Sequence, residues 1–168
     1  MKRFKTILLV LLLIVVVIQF FHPKRNISTA ASPNDISALY PMKSEVDIIL
    51  KKACNDCHSN NTRYPWYANI QPVAWWLNDH VRDGKRGLNF NEFATYPLRR
   101  QYRKLEEIKE QVKEGEMPLS SYTLIHTDAN LTAGEKASLT NWVDSIRNVM
   151  KATYPADSLA RKKPGEGR

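Results

Sequence analysis

The chain has 168 residues and a mass of 19.4 kDa, which fits one ordinary domain and leaves no room for two large ones. With 43 % hydrophobic and 25 % charged residues it is not disordered throughout. The net charge of +8 belongs to the two ends: residues 1–30 hold five Lys/Arg and no acid, residues 151–168 hold five against two, and residues 31–150 hold fifteen of each. The body therefore has no positive excess for a nucleic acid, whereas basic ends beside an apolar segment suit an anionic membrane surface.

Three basic side chains in residues 1–5 precede an apolar run over residues 6–21 (TILLVLLLIVVVIQFF). As a helix, the run measures about 24 Å against a hydrocarbon core of about 30 Å, slightly short for a span and slightly long for the core of a secretory signal. Lys5 and Lys24 can snorkel to extend it. No small-residue cleavage site comes closely after it, and no cysteine stands there as in a lipoprotein. The expectation is an uncleaved signal anchor over residues 1–25, a transmembrane helix that delivers the downstream chain across the membrane. Prolines and polar residues then make 26–42 a linker, and 153–168 reads as a flexible basic tail.

The body, 43–152, shows helical periods and no strand alternation. Ser44 is a candidate N-cap for a helix carrying Val46, Ile49, Leu50 and Ala53 up to Cys54. A second helix starts after Pro72, carries Trp75, Trp76 and Leu77, and ends near Gly84. Leu98, Tyr102, Leu105, Ile108 and Val112 form an apolar stripe stopped by Gly115. Thr132 and Glu135 have capping-box spacing, and Leu139, Trp142, Val143, Ile146, Val149 and Met150 line one face of a last helix. The predicted class is all-α.

Residues 54–58 read Cys-Asn-Asp-Cys-His. Two intervening residues set two thiols at the separation of the two haem vinyl groups, and the adjacent His58 falls under the iron. A thioredoxin-like pair would need a strand before it and a first cysteine at a helix N-terminus, whereas Cys54 comes at the end of a helix. Structural zinc would need four ligands, and His80 and His126 lie far off in sequence. The spacing thus points to haem c, attached covalently through Cys54 and Cys57.

The stretch ACNDCHSNNTRYPWYANIQPVAWWLNDHV, then LNF, EGEMPLSSYTLIH and LTAGEKASLTNW, covering about residues 43–150, resembles the cytochrome c superfamily. It resembles more closely the small, membrane-anchored bacterial haem-binding domain family. The resemblance implies a cytochrome c-like helical domain packed around one haem, with a Met on a loop followed by Pro. That pattern falls on Met117 and Pro118, where a thioether can bind the iron opposite His58. His80 and His126 are the other candidates for this position. The resemblance also implies that a backbone carbonyl near a proline, here in Ile70–Pro72, orients His58. Tyr64, Trp66, Tyr67, Trp75 and Trp76 can wall the haem or serve as ordinary core, and Arg63 can meet a propionate.

The sequence contains no Ser-His-Asp pattern, phosphate-cradling loop or paired catalytic carboxylates. The expected function is one-electron transfer with a redox protein partner, from a haem domain held in the periplasm by the bacterial inner membrane. A peroxidase or ligand sensor with an open sixth site, using His80, is the alternative.

Overall fold

The computed structural model describes residues 1–28 and 30–160. It contains helices and no strand among the described residues. In chain order the helices are α1 (Lys2–Ile18), α2 (Ile36–Leu39), α3 (Ser44–Ala53), α4 (Asn55–His58), α5 (Val73–Gly87), α6 (Leu98–Glu114), α7 (Ser120–Thr123), α8 (Ala133–Thr153) and α9 (Ala156–Leu159). Short 3-10 turns at Trp66–Asn69, Phe90–Thr95 and Thr127–Ala129 connect them.

The core forms where α8 packs on α6 and α3. Leu139, Trp142, Val143, Ile146 and Met150 meet Leu105, Ile108 and Val112 from α6 and Val46, Ile49 and Leu50 from α3. Phe90 and Phe93 close the cluster from the loop before α6. The apolar stripes read from the sequence are these faces, except that Val149, expected on the α8 face, is 57 % exposed and lies outside the core. Gly115 ends α6 in the left-handed conformation at φ 81°, where a side chain would be strained. Both hydrogen bonds of the Thr132–Glu135 capping box start α8.

Several expectations are corrected. Ser44 is the first helical residue of α3, and Lys43 takes the cap position. α5 runs past Gly84 to Gly87. No described helix is long and apolar enough to cross a membrane. The expected transmembrane helix is instead α1, with 17 residues and about 25 Å of length. It ends because the N–H groups of Gln19, Phe20 and Phe21 bond three residues back, tightening the last turn.

The packed body also reaches beyond 43–152. Ile36, in the stretch read as a linker, is 1 % exposed and joins the core cluster. Asp35 caps α2 by accepting the Ser37 N–H at 2.8 Å, and the Ala94 N–H donates to the Asn34 carbonyl at 2.9 Å. In the stretch read as a tail, Leu159 is buried and α9 packs on α6. Residues 161–168 of that tail lie outside the described residues. Ile36→Ala should therefore cost roughly 2–5 kcal/mol in chemical denaturation, as for a buried isoleucine, where a free linker would give no change.

Candidate functional site

The Cys54 N–H still bonds to the Leu50 carbonyl at the end of α3. At φ −128° and ψ −43° Cys54 then leaves helical geometry and starts α4. The Cys57 and His58 N–H groups both donate to the Cys54 carbonyl, at 3.2 and 3.0 Å. One short turn thus carries both cysteines, three residues apart and so on one side, with the histidine beside them. Both thiols are free.

This turn forms one wall of a cavity of about 700 Å³, within the 300–1,000 Å³ range usual for bound organic groups. Cys54, Cys57 and His58 share it with Trp76, His80 and Gly84 from α5, Ile108 and Val112 from α6, and Met117 and Tyr122 beyond Gly115. Ala53, Leu88, Phe90 and Leu119 add to an apolar lining. All four sequence-predicted site residues, Cys54, Cys57, His58 and Met117, face one space, and so does His80.

The two helices forming the proximal wall approach closely. A Cβ on Gly84 would stand 2.7 Å from the Cys57 carbonyl oxygen and 3.1 Å from the Cys57 Cβ. Only glycine allows α5 to lie this near the motif. The approach brings the C-terminal carbonyls of α5 onto His58, whose Nδ1 lies 3.1 Å from the Gly84 oxygen and 3.0 Å from the Leu88 oxygen. Nδ1–H is the donor to both, since each partner is an acceptor. The ring is thereby fixed with Nε2 as its unprotonated nitrogen, the state a metal ligand needs. Burial pushes the His58 pKa down, which keeps the ring neutral. The orienting carbonyls are those of Gly84 and Leu88, which corrects the assignment to Ile70–Pro72.

Burial pushes the Cys54 thiol up to about 12 and the Cys57 thiol up to about 11. A redox-active thiol pair needs the opposite, a lowered pKa. Among the described residues no three His, Cys, Asp or Glu gather to hold a metal ion, so the set for structural zinc is not assembled. In the folded apoprotein, both thiols should resist alkylation near pH 8 and react once the chain is unfolded; mass spectrometry after iodoacetamide measures this. Fast alkylation of the folded form would restore the thiol-redox reading.

Asp56, between the cysteines, is buried at 7 % exposure and fully bonded. Its Oδ1 accepts from the Arg63 N–H at 3.0 Å and Arg63 Nε at 3.2 Å, and its Oδ2 accepts from Tyr122 Oη at 2.7 Å. Arg63, which could meet a propionate, pairs with Asp56 here and is not among the cavity-lining residues. Asp56 links the motif turn to α7 and so to the loop that carries Met117. Tyr122 stacks on His126 with ring centroids 4.4 Å apart, and His126 Nε2 pairs with Tyr67 Oη at 2.8 Å. His126 is not among the cavity-lining residues. His80 bonds through Nδ1 to the Trp76 carbonyl at 2.9 Å.

Of the five aromatics proposed as a haem wall, only Trp76 lines the cavity. Trp66 is 75 % exposed, Trp75 Nε1 donates to the Phe21 carbonyl, and Tyr64 Oη accepts from the Asn26 N–H. The residues that sequence reading missed are Gly84, Leu88, Asp56 and Tyr122, with Lys104 and Glu107, an ion pair on the α6 side of the cavity. Gly84 was visible in the sequence only as the expected end of its helix, while the others carried no signal.

The residues present fit a haem: an apolar cavity of suitable size, two free thiols on one turn, and an oriented neutral histidine. Comparison with curated proteins and with solved structures gave no match. The model of the haem-binding domain family matches residues 13–145, most of the chain and the whole of the cavity wall. The chain belongs to the haem-binding domain family.

Proposed function

We propose that the domain carries one haem c, bonded to Cys54 and Cys57, whose iron His58 and Met117 would hold, and acts as a one-electron carrier for a redox protein partner. The observation that carries this reading is the convergence of Cys54, Cys57, His58 and Met117 on one cavity, with His58 Nδ1 already engaged. When bound, the haem would supply an iron that alternates between two oxidation states, and a neutral thioether such as that of Met117 would favour the reduced one. The protein's part is to hold the histidine neutral and oriented, to present the thioether, and to keep water from the macrocycle with Ile108, Val112 and Phe90.

We place the domain on the periplasmic side of the bacterial inner membrane, where covalent haem attachment occurs, anchored through residues 6–21. Support comes from α1, in which no residue is buried, and from the apolar turn that prolongs it to Phe21. Intact mass spectrometry should give the polypeptide plus one haem, and visible spectra should be low-spin in both redox states. An unmodified mass from cells with working haem maturation overturns the attachment. His80 favours a second reading, because it lines the same cavity with Nδ1 committed and Nε2 left over. A high-spin ferric spectrum that responds to added ligands would select that reading, a peroxidase or ligand sensor.

A further inference from the structure

The end of α1 is not a free tether. Gln19 and Gln71 bond in both directions, Gln19 Nε2 donating to the Gln71 carbonyl at 3.2 Å and the Gln71 N–H donating to Gln19 Oε1 at 2.9 Å. The Phe21 carbonyl accepts from Gln71 Nε2 at 2.7 Å and from Trp75 Nε1 at 2.9 Å. Gln71 is 2 % exposed, so these bonds belong to the packed body. Arg25 continues the seam by donating to Asn69 Oδ1.

Around this seam the domain leaves large apolar side chains partly or largely exposed. Phe21, Ile70 and Trp75 are exposed at the seam itself, and Trp66 stands on the same 3-10 turn as Asn69. The Tyr67–His126 hydrogen bond brings in the segment after α7, where Leu124 and Ile125 are 80 % and 58 % exposed. Exposed apolar side chains grouped on neighbouring segments in this way mark an interaction surface. Tryptophan is the side chain that favours the boundary between lipid and water, with an apolar body and one polar N–H. Lys24 and Arg25 add positive charge beside it, suited to anionic headgroups.

We propose that this face lies on the lipid surface, so that Phe21, Trp66, Ile70, Trp75, Leu124 and Ile125 enter the headgroup region and fix the domain's orientation. The inference rests on the anchor reading of residues 6–21. Lipid is the occupant because the face is continuous with an apolar helix and bonded to its end. A bilayer that takes up α1 arrives within side-chain reach of the seam. Trp76, which lines the cavity and is 47 % exposed, comes directly after Trp75. The rim of the haem cavity is then held close to the bilayer surface.

The test uses the full-length haem-loaded protein in vesicles of phosphatidylcholine and phosphatidylglycerol that contain two photoactivatable phosphatidylcholines, one with the reactive group at the headgroup and one with it in the acyl chain. Adducts are mapped by peptide mass spectrometry. They are expected on residues 6–21, on 66–75 and on 124–125, and not at Val149, an exposed apolar residue of α8. Trp66→Glu with Leu124→Glu should lower labelling of the two body segments to the Val149 level and leave α1 labelled. Adducts on residues 6–21 alone overturn the proposal and leave the anchor standing. That outcome with a chemically cross-linked dimer would assign the face to a second copy. Absence of adducts from residues 6–21 overturns the anchor and this proposal with it.

Discussion

Gly84→Ala is expected to cut the yield of haem-loaded protein sharply and to destabilise the fold by roughly 1–3 kcal/mol, the usual cost of overpacking. The obstacle is a backbone oxygen, the Cys57 carbonyl, 2.7 Å from where the new methyl carbon would sit. Backbone cannot turn aside as a flexible side chain can, so α5 must retreat from α4. The retreat moves the Gly84 and Leu88 carbonyls that hold His58 Nδ1. One added carbon thus acts on packing and on ligand orientation together. Gly134, in the first turn of α8 and away from the cavity lining, provides the control. A Cβ there would meet nothing nearer than Thr132 Oγ1 at 3.9 Å, and alanine suits a helix better than glycine by roughly 0.5–1 kcal/mol. Gly134→Ala should leave haem loading unchanged and raise the denaturation midpoint slightly. Denaturant titration and the ratio of haem to polypeptide absorbance measure both variants. Equal behaviour of the two would show that the close approach at Gly84 is not needed.

The difference between the legible and illegible parts of this fold is one of sequence distance. α6 and α8 were readable because each buries a stripe repeating at the helical period, and each is bounded by local chemistry, Gly115 for one and Thr132 with Glu135 for the other. Ile36 and Leu159 were not, because each is a lone buried apolar residue in a polar stretch, with no period to announce it. The motif turn was readable because Cys54, Cys57 and His58 carry their chemistry in five residues. Their support was not. The His58 partners lie 26 and 30 residues downstream and act through backbone carbonyls, which leave no mark on residue type. The Asp56–Tyr122 bond spans 66 residues. The aromatic count misled for a related reason: five aromatics in residues 64–76 suggested a haem wall or ordinary core, while four of them face solvent, the N-terminal seam or His126.

Met117→Ala is expected to leave haem attachment intact, abolish the weak red-edge charge-transfer band of methionine ligation, and lower the reduction potential by a sizeable part of the roughly 0.8 V that axial ligands can span. Attachment should survive because the two cysteines that would form the bonds to haem lie in the motif turn at α4, not in the loop that carries Met117. The loop should also survive. Gly115 fixes its start, and the Met117 N–H donates to the Gln111 carbonyl at 3.1 Å, a backbone bond that alanine keeps. α7 begins at Ser120, and its Tyr122 holds the far side of the loop through Asp56. The substitution therefore removes a donor atom while leaving its frame in place. Met117→His should restore a low-spin spectrum at a lower potential than the native protein, since imidazole favours the oxidised iron more than a thioether does. His80→Ala should change neither spectrum nor potential. Potentiometric titration with visible spectroscopy reads all three variants. A native low-spin spectrum in Met117→Ala together with a high-spin spectrum in His80→Ala would move the sixth ligand to α5, and Met117 would then be only apolar lining of the cavity.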